Sequence, residues 1–190
     1  MASAAAAIER LCDPQAEVSA HYLISGQGKI TQMVREEDRA WHAGRGSWHG
    51  ADDINSRSIG SELDNRGNHP FSAPLMDALE ILMQGIMTRW GICPDGVIGH
   101  SDMAPGLKID PGRHFDWSRL VRQGLAAQPA KVASAYAVNA KAFRDCARRA
   151  GYPGNAEDAA LLQAVRDRHR PFATGPLCAD DFTSLGAVES

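Results

Sequence analysis

The stretch richest in chemistry is Gly99-His100-Ser101-Asp102-Met103-Ala104-Pro105-Gly106-Leu107-Lys108-Ile109-Asp110-Pro111-Gly112. The short apolar run Val97-Ile98-Gly99 reads as a brief strand that gives way to a loop at His100. Two prolines and two glycines then shape the loop sharply, so that it brings Asp110 back towards His100. One imidazole nitrogen and one carboxylate make two of the three protein ligands of a catalytic zinc site. Lys108 lies two residues before Asp110, and in an extended segment such positions share a face. Its charge would then lie where an oxyanion develops. The plainer alternative is a surface loop with a solvated histidine and lysine.

Glu62 is a second candidate. It sits in Ser58–Asp64 (SIGSELD), a short strand with Ile59, Ser61 and Leu63 on one face and Gly60, Glu62 and Asp64 on the other. A carboxylate on a strand shaped for burial needs a partner or a task, and general-base catalysis is such a task. A strand-end glutamate facing water is the alternative. Residues 35–57 show no periodicity and are rich in Gly, Arg, Trp and His, the mark of a long and often functional loop. Within it, Trp41 offers an apolar face, His42 and Arg45 offer donors, and Gly44 allows close approach of a ligand. Trp41 could equally anchor the loop to the core. His21, inside Val18–Ile24 (VSAHYLI), faces either a ligand or a neighbouring strand.

The elements that must position these residues follow from pattern. A short helix runs from a Ser3 cap to about Leu11 and is stopped at Asp13-Pro14. VSAHYLI and Lys29–Val34 (KITQMV) form a hairpin around the four-residue turn Ser25–Gly28. Pro74 opens a helix whose stripe of Leu75, Leu79, Leu82, Met83, Ile86, Met87 and Trp90 faces a core, and Gly91 ends it. The expected architecture is α/β or α+β, a mixed central sheet flanked by helices, over residues 1–124. Residues 125–138, Ala-rich and patternless, read as a linker. Helices over 140–150, 157–168 and 179–187 then form a small module at 139–190, its core drawn from Phe143, Leu161, Leu162, Val165, Phe172, Phe182 and Leu185. On this reading a chain ending near Ala126 folds by itself.

Composition narrows the function classes. The 190 residues are 44% apolar and 23% charged, with a net charge of -3, which fits a cored domain and carries no basic stripe for nucleic acid. No apolar run reaches the roughly 18 residues of a membrane span. Four scattered cysteines, Cys12, Cys93, Cys146 and Cys178, form no metal knuckle and are expected as isolated thiols. The N-terminus lacks a basic n-region, so no signal peptide is read and a cytoplasmic location is expected, or the cell envelope if the natural start lies upstream.

Taken together, VSAHYLI, AWHAG, NSRSIGSE and GHSDMAPGLKIDPG occur in an order and spacing that resemble the type-2 family of zinc-dependent N-acetylmuramoyl-L-alanine amidases, which are similar to peptidoglycan recognition proteins. The resemblance covers about residues 1–120. It implies that His100 and Asp110 are zinc ligands, Glu62 the catalytic acid/base, and Lys108 the group that steadies the charged intermediate. The expected substrate side holds Trp41, His42, Arg45, Asn55 and His21. The family's other histidine ligand ends a strand that, aligned to this sequence, falls before Met1, so an upstream extension carrying it is expected; failing that, His21 or His42 is the candidate substitute. The C-terminal module resembles, more weakly, a degenerate peptidoglycan-binding three-helix unit.

The activity so implied is zinc-dependent hydrolysis of the amide between the lactyl group of an N-acetylmuramoyl or anhydro-muramoyl sugar and L-alanine, in wall turnover or recycling. The expected partners are peptidoglycan or muropeptide fragments. A rival from another class is a non-catalytic muropeptide-binding protein.

Overall fold

The structure, a computed structural model, describes residues 4–128, 137–183 and 185. Its contacts divide the chain into two compact units, Met1–Arg45 with Asp53–Cys93, and Gly46–Asp52 with Pro94–Ser190.

The first unit holds helix α1 (Ala4–Cys12), strands β1 (Tyr22–Ile24), β2 (Ile30–Gln32) and β3 (Ser61–Leu63), and helix α2 (Ala73–Trp90). The sheet order is β2-β1-β3; β2 runs antiparallel to β1, and β3 parallel, with Leu23 opposite both Thr31 and Glu62. The hairpin turn forms at Ser25–Gly28, closed by Gly28 N–H donating to the Ser25 carbonyl at 2.9 Å, with Gly28 at φ +81°. Each strand is shorter than its sequence pattern. Before β1, Ser19 N–H donates to the Trp41 carbonyl, and His21 and Tyr22 both donate to that of Gly60.

α2 begins with its proline in the first turn and ends at Gly91, left-handed at φ +63°. Leu75, Leu79, Leu82 and Ile86 of the expected stripe are buried, joined by Met76 and Ala78. Trp90 departs from the stripe and is half exposed, its indole N–H donating to Glu36 at 2.6 Å. Ala7 and Leu11 of α1 cluster with Ala20 and Leu23. Each fully buried leucine contributes about 1.5–3 kcal/mol.

The second unit is helical: α3 (His100–Met103), α4 (Trp117–Arg122), α5 (Ala140–Arg149), α6 (Asp158–His169) and α7 (Ala179–Thr183). Val97–Gly99 is not a strand; Asp102 turns its carboxylate back onto Gly99 N–H at 2.8 Å and starts a helical turn at His100 instead. Asn139 caps α5 by accepting from Ala142 N–H at 2.9 Å. The module core holds Phe143, Cys146, Leu161, Val165, Phe182 and Leu185 buried, with Leu162 packed against them. Phe172 does not join it; at 83% exposed it lies on a turn after α6. The expected linker lies largely outside the described residues, as does most of the chain beyond Thr183.

The helices after residue 139 do not stand apart from residues 94–126, because α6 packs on both α3 and α4. The guanidinium of Arg168 stacks at 3.9 Å on the Trp117 ring and pairs with Asp102 at 2.6 Å, with both charged side chains buried. Asp102 thus takes its cation and one of its hydrogen bonds from the helices after residue 139. The four cysteines are free thiols. No helix among the described residues is long and apolar enough to cross a membrane.

Candidate active site

The loop from His100 to Gly112 closes on itself through its backbone. Ser101 N–H donates to the Asp110 carbonyl at 2.9 Å, and Leu107 and Lys108 N–H both donate to that of Ala104. Gly99 is required by contact: a side-chain carbon there would fall 2.5 Å from Cδ of Pro111, which packs against it. The peptide bond between Asp110 and Pro111 is cis. These ties bring Nδ1 of His100 against Oδ2 of Asp110. Burial pushes the Asp110 carboxyl up, but the hydrogen bond and charge of His100, together with the charge of Lys108, outweigh it and hold the group below the usual carboxylate range. The expected trio of His100, Lys108 and Asp110 is thus gathered on one loop, with His100 on a helical turn rather than at a strand end.

The donor types suit zinc: an imidazole nitrogen and a carboxylate oxygen, in contact and held by a stiff loop, are groups from which a catalytic site draws its three protein ligands. Among the described residues no group of three His, Cys, Asp or Glu side chains is gathered for a metal.

The other candidates lie in the first unit. Glu62 is half-buried on β3, opposite Leu23. Trp41 is exposed, with the Arg39 guanidinium 4.1 Å from its ring; it does not anchor the loop to the core. Arg45 is exposed as well. The ring of His42 lies over Gly60, where an added side-chain carbon would come within 2.2 Å of it, and meets the His21 ring edge-on at 5.5 Å.

Two residues expected on the substrate side serve the scaffold instead. His21 is 1% exposed; its Nδ1 accepts from Gly60 N–H at 3.0 Å, which leaves Nε2 to donate to the Asp38 carbonyl at 3.0 Å. With both nitrogens committed to backbone, it offers neither to a ligand nor to a metal. Asn55 spends its side-chain oxygen on the N–H groups of His42 and Ala43, at 3.0 and 2.8 Å, and so shapes the AWHAG turn.

Sequence reasoning passed over Asp102. It lies two residues after His100, and at 100° per residue a helical turn points it some 200° away, into the interior. The signal was an aspartate inside an otherwise apolar Ser-Asp-Met-Ala-Pro run, which becomes 1% exposed.

Known proteins resemble this chain in sequence and in fold. The family described as N-acetylmuramoyl-L-alanine amidase matches residues 1–113. The N-acetylmuramoyl-L-alanine amidase AmiD of Escherichia coli is 40% identical over 129 residues, covering 60% of this chain and 47% of that protein. The 1,6-anhydro-N-acetylmuramyl-L-alanine amidase AmpD of Haemophilus influenzae is 43% identical over 106 residues, covering 55% of this chain and 58% of its own. The chain thus spans about half the length of the curated relatives it matches. In three dimensions, the E. coli AmiD structure, a complex with the substrate anhydro-N-acetylmuramic acid-L-Ala-D-gamma-Glu-L-Lys, matches with a TM-score of 0.86 at 29% identity, over 95% of this chain and 82% of that one. AmpDh3 of Pseudomonas aeruginosa matches with a TM-score of 0.85 at 30% identity, over 96% of this chain and 85% of its own. The α+β fold with a mixed three-stranded sheet is shared with these structures, and the chain belongs to the N-acetylmuramoyl-L-alanine amidase family.

Proposed function

We propose that this protein hydrolyses the amide bond between the lactyl group of an N-acetylmuramoyl or anhydro-muramoyl sugar and L-alanine, with zinc held by His100 and Asp110. The observation that carries the reading is the contact of His100 Nδ1 with Asp110 Oδ2 on the loop that also bears Lys108. Zinc, when bound, supplies Lewis-acid polarisation of the carbonyl and acidifies water. The chain's own groups do the rest. Glu62 takes the proton of the attacking water and returns it to the alanine nitrogen, which leaves only as a protonated amine. Lys108 offsets the negative charge that forms on the carbonyl oxygen. Trp41 and Arg45, both exposed, present an apolar face and a donor to a sugar–peptide ligand. That E. coli AmiD is solved with an anhydro-muramoyl tripeptide supports a muropeptide as the substrate class.

The test is Glu62→Gln in zinc-loaded protein, assayed on an anhydro-muramoyl peptide. The substitution keeps the shape and removes the base, so turnover should fall by about 10²–10⁴-fold while zinc content and unfolding temperature stay at the parent's values. Turnover near the parent's would remove Glu62 from this role. Binding of the muropeptide with no cleavage by the parent would favour a binding protein instead.

A further inference from the structure

We propose that Tyr152 and Arg168, on the helical module after residue 139, are positioning residues for His100: through Asp102 they set the backbone turn from which the histidine reaches its metal. This rests on the assignment of His100 as a ligand. The carboxylate of Asp102 is 1% exposed and fully engaged. Its Oδ1 accepts from the Tyr152 hydroxyl at 3.0 Å, and its Oδ2 accepts from Arg168 Nη1 at 2.6 Å and from Gly99 N–H at 2.8 Å. The other arm of the same guanidinium donates to the Val97 carbonyl at 2.9 Å. Asp102 N–H also donates to the Gly99 carbonyl at 3.1 Å. The bonds therefore fall on residues 97, 99 and 102, either side of His100, and hold its backbone from below while its ring meets Asp110.

The two clamping residues are themselves held. Arg168 lies 3.9 Å over the Trp117 ring. Tyr152 meets the Trp48 ring edge-on at 5.2 Å, and the preceding Gly151, at φ +108°, accepts from His49 N–H at 2.9 Å. A side-chain carbon at Gly151 would come within 2.9 Å of the Trp48 ring, so only glycine lets the tyrosine arrive in this place. Burial and the Asp102 charge push the Tyr152 hydroxyl well above its ordinary pKa, so it remains a donor. A module whose task was only to bind wall, or only to add core, would not need a tyrosine and an arginine meeting on the residues beside a metal ligand. Partners of this kind, one step behind a ligand, fix its orientation, and their loss typically lowers metal affinity or activity by about 10–100-fold.

The experiment compares Tyr152→Phe, which deletes one hydrogen bond, and Arg168→Lys, which keeps the charge but loses the fork, with Leu161→Ala, which loosens the same module without touching Asp102. Zinc affinity is measured by chelator competition, the His100 ring resonances by NMR of the metal-free protein, and stability by urea unfolding. Tyr152→Phe and Arg168→Lys should weaken zinc by about 10–100-fold and shift the His100 resonances before any metal is added. Leu161→Ala should lose stability and leave both readouts unchanged. If Leu161→Ala moves zinc affinity as much as the other two, or if those two lose only stability, the clamp is a brace and the inference falls. His100→Ala is the separate control: zinc binding unaffected by that change would overturn the ligand assignment itself.

Discussion

At the scale of the residue, His100 and Asp110 meet because the loop between them has its own hydrogen-bond closure, and Lys108 rides on the same closure. Their roles predict different failures. Under the proposed roles, Asp110→Ala removes a ligand; with roughly 10–16 kcal/mol spread over about four ligands of a structural site, one is worth about 3 kcal/mol, or roughly 100-fold in affinity. Lys108→Ala should keep the metal and lose about 10²–10³-fold in rate, as loss of an oxyanion donor does. Metal analysis and muropeptide turnover on the two variants decide the matter, and equal zinc in both would refute the Asp110 assignment. This trio was legible in the sequence because all three residues lie within one stretch whose prolines and glycines advertise a fixed shape. For His21 the sequence left both readings open, a ligand or a neighbouring strand, and Asn55 was not legible as scaffold. A histidine and an asparagine look alike on paper whether they face a ligand or a backbone amide, and only the partner, here Gly60 N–H or the amides of 42 and 43, decides.

At the scale of the element, local chemistry carried far. The Pro74 start and Gly91 stop of α2, the Ser25–Gly28 turn and the three C-terminal helices all follow from residues that set their own φ and ψ or bury a stripe. What pattern does not contain is competition for backbone groups: before β1, Ser19 N–H is spent on the Trp41 carbonyl, a partner distant in sequence. Val97–Gly99 looked like a strand and is not one because the Asp102 carboxylate takes its last amide. Gly60 offers a direct test of such long-range constraint. Gly60→Ala puts a methyl 2.2 Å from the His42 ring, in ordinary backbone geometry, so the cost is overpacking of about 1–3 kcal/mol. Urea unfolding should show that loss, and the double variant Gly60→Ala with His42→Ala should recover most of it. A single variant as stable as the parent would mean that the ring moves aside freely.

At the scale of the whole molecule, three ionisable groups, His169, Asp181 and Glu36, make stability fall as pH falls. Burial, helped by the charge of Arg168 and only partly opposed by that of Asp102, lowers His169 from 6.5 to about 4. Asp181 is 0% exposed: burial pushes its carboxyl up, yet Arg166 and the donors of Cys178 prevail and bring it to about 2. Glu36, bound by Arg89, Tyr22 and Trp90, is likewise lowered to about 2. The signs agree. A histidine kept neutral in the fold favours unfolding wherever the unfolded chain takes a proton that the fold refuses, so its stability contribution disappears as pH falls from 6.5 towards 4. A carboxylate lowered by its partners contributes above its unfolded value, and that contribution is lost as pH falls from 3.8 towards 2 for Asp181 and from 4.5 towards 2 for Glu36. Urea unfolding of the metal-free protein should therefore show a first decline below pH 6.5, worth roughly 3 kcal/mol at its end, and a second, steeper one below about pH 4.5. His169→Gln should flatten the first decline and leave the second. Stability that stays level from pH 7 to 4 in the parent, or a first decline that survives in His169→Gln, would show that this half-buried histidine is not the group that titrates.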